Sequence, residues 1–302
     1  MRVGITGASG LVGGHLARAL SSRGDEAIAF SRRGKVEGPF AAVRVWDPSQ
    51  PLGGEDLADL DGLVHLAGEP VAGRWTARKK QRILASRGEG TRNLVLGLRA
   101  AEPRPRVLVS ASAMGYYGER GDQELSEEEG SGEDFLAKVC VEWEAAAREA
   151  EELGVRVARL RIGLVLALEG GALAEMLLPF KCGVGGPLGG GAQWWSWIHV
   201  QDLVRMILWC LDTESVQGAI NASTPTPVRQ RDFARALAGQ LGRPSFMPAP
   251  GFVLRTVLGE FSTELLSSRR LQPRAALDAG FTFEHCDLDA ALGALLAPSS
   301  KT

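Results

Sequence analysis

Arg2-Val3-Gly4-Ile5-Thr6-Gly7-Ala8-Ser9-Gly10-Leu11-Val12-Gly13 decides the fold of this chain. A short strand-like run, Arg2–Thr6, passes directly into a G-x-x-G-x-x-G turn, and Leu11–Arg23 then reads as a helix. The first glycine permits a tight turn, the second lets backbone approach a pyrophosphate, and the third allows close helix–strand packing. The helix start adds unsatisfied N–H groups and the positive end of a dipole, which favour an anion. Thr6, Gly7, Ala8, Ser9, Gly10, Leu11, Val12 and Gly13 are therefore candidate cofactor-binding residues.

The next strand, Glu26–Phe30, identifies the expected dinucleotide. A cofactor with a free 2′-hydroxyl needs an acidic acceptor about 20 residues beyond the turn. Here the chain reads Ser31-Arg32-Arg33, with no carboxylate. Two guanidiniums and a hydroxyl suit a 2′-phosphate through forked, charge-assisted hydrogen bonds. The expected cofactor is NADP(H) rather than NAD(H).

Further out, strand-like runs at Ala42–Trp46, Gly62–Ala67, Arg106–Ser110 and Val155–Leu160 alternate with helical patterns from Thr76 to Ala101 and from about Asp134 to Leu153. In the latter, Val139, Trp143, Ala146, Ala150 and Leu153 make one apolar face. Alternation at this spacing predicts βαβ crossovers. The expected architecture is α/β, a Rossmann doubly wound parallel sheet with a smaller, mainly helical C-terminal lobe for substrate. The first domain is expected over 1–168, completed by about 198–223 through a helix His199–Leu211 and a strand near Ala219–Asn221. The smaller lobe is expected over 169–197 and 224–302.

Composition excludes several classes. The chain has 302 residues, 34 Lys plus Arg and 36 Asp plus Glu, a formal charge of −2. So balanced a charge argues against a nucleic-acid or anionic-membrane binder. The longest uncharged stretch, Cys182–Gln201, is glycine-rich and reads as loop rather than membrane span. The run after Arg2 lacks the Leu-rich centre of a signal peptide, so a cytoplasmic location is expected. Four scattered cysteines and four scattered histidines predict buried free thiols and no metal cluster.

Several segments resemble the extended short-chain dehydrogenase/reductase superfamily, which includes NAD-dependent epimerases and dehydratases. They are the glycine turn, His65-Leu66-Ala67-Gly68, Gly90-Thr91-Arg92-Asn93-Leu94, Val109-Ser110-Ala111-Ser112-Ala113 with Tyr116-Tyr117-Gly118, Lys138 with Glu142, and Trp197-Ile198-His199-Val200-Gln201-Asp202-Leu203. Leu66-Ala67-Gly68-Glu69-Pro70, Arg74-Trp75-Thr76, Ser86-Arg87, Trp143-Glu144 and Leu178-Pro179-Phe180 are similar to a subgroup described only as "epimerase family protein", with a C-terminal domain of unknown function. The resemblance covers nearly the whole chain. It implies that Leu66, Ala67 and Gly68 line the cofactor, that Ser112 polarises a reacting oxygen, and that Lys138 holds the nicotinamide ribose. It also implies a possible homodimer through the helices near 76–101 and 134–153.

One departure matters. The superfamily places its proton-transfer tyrosine four residues before the lysine, where this chain has Asp134. Tyr116 and Tyr117 are its only tyrosines, and either could move the proton. Asp134 reads better as a helix cap. Arg87, Trp197 and His199 are further substrate-side candidates, although a surface arginine, a packed indole and a structural histidine explain them too. Two functions follow from these residues. One is an NADP(H)-dependent epimerase or oxidoreductase acting on a small carbonyl or nucleotide-sugar-like substrate. The other is an NADP(H)-binding sensor or scaffold without turnover.

Overall fold

The structure, a computed structural model, describes residues 1–297. Its centre is a seven-stranded sheet of β1 (Arg2–Thr6), β2 (Glu26–Ser31), β3 (Ala42–Val45), β4 (Gly62–His65), β5 (Val107–Ala113), β6 (Arg156–Ile162) and β7 (Gly218–Ala222). The order is β7-β6-β5-β4-β1-β2-β3 and every pairing is parallel. The chain moves one way from β1 and the other way from β4. This reversal leaves a crevice above their carboxyl ends, the place where open α/β sheets bind ligands.

Alternation along each strand explains the layers. Val64 and Val109 face α1 (Leu11–Ser22), while Leu63 and Leu108 face the opposite side, where α2 (Ala77–Ala100) and α3 (Phe135–Arg148) pack. A parallel sheet covered on both faces needs strands apolar in both directions. The helix-like stretch from Asp134 is shorter than expected. Its α-helix ends at Arg148, and Glu151–Leu153 forms a separate 3₁₀ turn.

Seven more α-helices follow among the described residues: α4 (Gly171–Lys181), α5 (Val200–Asp212), α6 (Gln230–Gln240), α7 (Gly251–Leu258), α8 (Ser262–Leu266), α9 (Arg274–Asp278) and α10 (Leu288–Leu296). The α5 helix packs beside α1 and delivers the chain to β7. A separate apolar core, built on Leu173, Phe180, Trp195, Trp197, Phe233, Leu237 and Leu292, holds α4, α6 and α10 together.

Among the described residues, no helix is long and apolar enough to cross a membrane, and no three His, Cys, Asp or Glu side chains gather as metal ligands. The four thiols are free. Cys140 and Cys210 are buried as expected, but Cys182 is exposed and Cys286 half-buried because both lie outside the sheet's two faces.

Candidate functional site

Three glycines shape the crevice floor in three different ways. Gly7 has φ +68°, and a Cβ there would lie 2.7 Å from the carbonyl carbon of Leu66. Any side chain at this position would separate β1 from the segment after β4. A Cβ on Gly13 would lie 2.7 Å from the Gly7 carbonyl oxygen, so this glycine seats α1 against the turn. Gly10 differs: a Cβ would meet only the Gly7 oxygen, at 3.1 Å, and the space beyond is open. Protein packing does not demand glycine there. An open floor that a methyl would fill is the shape needed by a pyrophosphate approaching the backbone.

The α1 helix is also left uncapped. Thr76, Asp134 and His199 cap α2, α3 and α5 with side-chain acceptors, whereas Gly10 at the start of α1 offers none. No acidic residue occupies the first turn of α1. Its first N–H groups thus face the crevice without a side-chain acceptor, a geometry suited to an anion. Past β2, Ser31 is half-buried and Arg32 and Arg33 are exposed, with no ion pair to either arginine among the described residues.

Below the floor runs a short polar relay. The Thr6 hydroxyl accepts the N–H groups of Leu66 and Ala67 at 3.2 and 3.3 Å and lies 2.7 Å from His65 Nδ1. His65 Nε2 lies 3.0 Å from the Thr91 hydroxyl. The Thr6 lone pairs are engaged by the two amides, so its proton goes to Nδ1, and Nε2–H donates to Thr91. Burial, reinforced by the positive charge of Arg87, pushes His65 down to about 4, so the ring is neutral. Thr6 and His65 are therefore structural: they pin Leu66-Ala67-Gly68 over the switch point.

At the carboxyl ends of β5 and β6 lies a network that sequence reasoning missed. Ser112 Oγ donates to Glu144 Oε1 at 2.8 Å. Arg161 grips the same carboxylate with two bonds, Nε to Oε1 at 2.9 Å and Nη2 to Oε2 at 3.1 Å. Its Nη1 donates to the Tyr117 hydroxyl at 2.9 Å, which donates onward to Asn221 Oδ1 at 2.7 Å. All five side chains are buried. Burial lowers the Arg161 affinity for its proton, but the Glu144 contacts outweigh it and hold the guanidinium firmly charged. Tyr117 moves the other way: burial pushes its phenol up to about 12, against the pull of Arg161. The signal for this network was present. Glu144 interrupts an otherwise apolar helix face, and Arg161 is one of three arginines in the β6 strand.

The two tyrosines separate clearly. Tyr117 is fully buried and its oxygen is occupied. Tyr116 is half-buried, its ring 3.5 Å from the Arg161 guanidinium carbon and edge-on to Tyr117, and its hydroxyl has no partner among the described residues. Asp134 is the α3 cap, accepting the Ala137 N–H at 2.8 Å.

Other expected positions fall elsewhere. Lys138 is exposed on the outer face of α3 with Val141, Ala145 and Arg148, and its ammonium forms no ion pair or hydrogen bond among the described residues. The helical repeat is the reason: Leu136, Cys140, Trp143 and Ala147 take the buried face, which turns Lys138 to solvent. The expectation that Lys138 holds a ribose does not match that placement. Cys140, donating weakly to the Ala113 carbonyl, occupies the face instead, and burial pushes its thiol up to about 12. Trp197 is fully buried in the second core, with Nε1 donating to Thr226 O at 3.2 Å. His199 caps α5 through Nδ1 and stacks on His285 at 3.8 Å; burial and that neighbour push it down to about 4. Arg87 does approach the floor: its guanidinium carbon would lie 3.0 Å from a Cβ on Gly68.

Sheet order, switch-point crevice and glycine cradle together define a doubly wound nucleotide-binding architecture. The chain belongs to the NAD dependent epimerase/dehydratase family, whose model matches residues 3–222. Residues 249–295 match a domain of unknown function, DUF1731. Epimerase family protein SDR39U1 homolog, chloroplastic, from Arabidopsis thaliana is 40% identical, over 98% of this chain and 87% of that protein. Epimerase family protein YfhF from Bacillus subtilis is 34% identical, over 98% of each. Among solved structures, human epimerase family protein SDR39U1 (isoform 2) with NADPH superposes with a TM-score of 0.89, at 32% identity, covering 98% of this chain and 99% of that one.

Proposed function

We propose that this protein binds NADP(H) and uses it in hydride transfer with a small carbonyl or nucleotide-sugar-like substrate. The carrying observation is the floor over Gly10, which packing leaves open beside an uncapped helix start. The similar human protein was crystallised with NADPH, which agrees with that reading. Backbone N–H groups of Gly7–Gly13 would hold the pyrophosphate. Ser31, Arg32 and Arg33 would hold the 2′-phosphate, and Leu66, Ala67 and Gly68 would line the cofactor. When bound, the nicotinamide supplies a hydride donor or acceptor.

The chain's own groups divide the remaining work. Tyr116, with its free hydroxyl, moves the proton at the substrate oxygen. The Ser112 O–H is engaged in a hydrogen bond to Glu144, so it offers the substrate only lone pairs and serves to position the strand. Residues 169–197 and, of the later stretch, the described residues 224–297 close the substrate side, and a homodimer through α2 and α3 completes the reading.

A second reading, cofactor binding without turnover, draws on the solvent placement of Lys138 and the burial of Tyr117. The experiment is calorimetric titration of the purified protein with NADPH, NADP⁺ and NADH. It is followed by nicotinamide absorbance across a panel of carbonyl and nucleotide-sugar compounds. Absence of heat with NADPH and NADP⁺ refutes both readings. Heat with NADPH but no absorbance change with any compound selects the second.

A further inference from the structure

The other buried or half-buried arginines among the described residues have partners that offset their charge or fill their donors. Arg161 has Glu144, Arg269 has Glu264, and Arg156 spreads three bonds over the carbonyls of Cys210, Leu211 and Val216. Arg87 is different. Its Nη1 donates to the Glu69 carbonyl at 2.9 Å and reaches the Ile83 carbonyl at 3.5 Å. It has no carboxylate partner among the described residues. The Glu69 carboxylate is taken by Arg82 at 3.1 Å, with Lys79 at 4.0 Å. Burial accordingly lowers the hold of Arg87 on its proton, offset in part by Glu69 and Cys140.

Two neighbours flank it. The guanidinium lies against Gly68, just past the carboxyl end of β4, and 4.9 Å from the centre of the Trp143 ring. Trp143 is itself buried, and its indole N–H has no acceptor among the described residues. Two neighbouring side chains thus carry donors without an acceptor, one of them a full positive charge. Guanidinium forks match carboxylates and phosphates, and Arg87 is only half-buried, so its remaining donors are open to such a group.

Resting on the cofactor reading above, we infer that Arg87 is the seat for an anionic group of the substrate, a carboxylate or a phosphate, on the β4 side of the crevice. The substrate class narrows accordingly to carbonyl compounds that carry such a group. The anion arrives with the substrate and supplies the charge that the chain withholds from Arg87.

The test uses protein saturated with NADPH, so that the cradle cannot take up the probe. Inorganic phosphate and acetate are titrated separately at constant ionic strength, with thermal midpoint and calorimetric heat as readouts. Wild type is expected to bind at least one of them, and the stronger of the two identifies the group. Arg87→Met is expected to weaken that binding at least tenfold, leave NADPH affinity within threefold, and keep or raise the unliganded midpoint. Arg99→Met, an exposed position on the same helix, is expected to bind the anion as wild type does. If Arg87→Met does not fold, Arg87→Lys carries the comparison, with at least threefold weaker anion binding expected from loss of the fork. Anion binding unchanged in the Arg87 variant, or absent from wild type, overturns the inference. So does a tenfold loss of NADPH affinity with anion binding intact, which would assign Arg87 to the cofactor. A wild type that ignores NADPH sinks the cofactor reading instead, and is seen before any anion is added.

Discussion

The hydroxyl of Ser112 donates to Glu144 at 2.8 Å, and this one bond ties the fifth strand of the sheet to the helix that covers it. Because Arg161 holds the same carboxylate, the Ser112 proton is committed to a buried ion pair rather than to the crevice. Glu144→Leu leaves the Arg161 charge buried without its partner, and is expected to destabilise the fold by about 3 kcal/mol or more. The shift in the urea midpoint measures it. A midpoint within experimental error of wild type would show that the network contributes nothing.

The two phenols should behave differently. Tyr117→Phe strands Asn221 Oδ1 and an Arg161 N–H in a buried setting, and is expected to cost roughly 1–3 kcal/mol of stability. Tyr116→Phe removes a hydroxyl that no protein group uses. Its midpoint should stay at the wild-type value, while any turnover found in the substrate panel should fall at least a hundredfold. Loss of turnover in Tyr117→Phe alone, with Tyr116→Phe active, reverses the assignment.

Gly10 and Gly7 offer a separation of binding from folding. Gly10 has φ −81°, open to any residue, so Gly10→Ala should fold normally yet bind NADPH about tenfold more weakly, about 1.4 kcal/mol. Gly7→Ala meets both a φ of +68° and the Leu66 backbone, so the fold itself should suffer. Parallel calorimetry and thermal melts distinguish the two. Equal damage to both properties in both variants would rule out an open floor at Gly10.

In the proposed function, cofactor choice rests on the arginine pair. Arg32→Asp with Arg33→Ala is expected to reverse the preference from NADPH toward NADH, because a carboxylate suits a 2′-hydroxyl and repels a 2′-phosphate. Titration of the double variant with both cofactors decides. An unchanged ratio of affinities removes these arginines from the site.

Acid should weaken the protein through His65. Its ordinary value of 6.5 applies to the unfolded chain, and the folded ring stays neutral down to about 4. Below pH 6.5 the unfolded state therefore binds the extra proton, and stability falls as pH drops toward 4, by about 3 kcal/mol at the limit. His199 adds to the same window for the same reason. Urea midpoints at pH 7 and pH 5 should differ less in His65→Asn than in wild type. An identical pH slope in the variant would contradict a neutral buried imidazole.

The glycine turn, the β-branched runs and the Thr76 and Asp134 caps were all legible from residue order, because each is a local property of backbone freedom, propensity or a side chain reaching three residues ahead. The parallel sheet followed from them, since alternating strands and helices leave few ways to pack. The arginine pair after the second strand was legible as charge, and its hold on a 2′-phosphate belongs to the proposed function.

What residue order determined is the first nucleotide-shaped half of this protein: where the chain must turn tightly and where positive charge replaces negative. Tertiary structure alone decided which side chains meet. Glu144 and Arg161 are seventeen residues apart, and Tyr117 and Asn221 are one hundred and four apart, yet both pairs are in contact. It also decided that Lys138 faces water and that Arg87 is left without a carboxylate. Helix rotation and strand neighbours set those outcomes, and both depend on how apolar faces are buried across the whole sheet rather than on any local spacing.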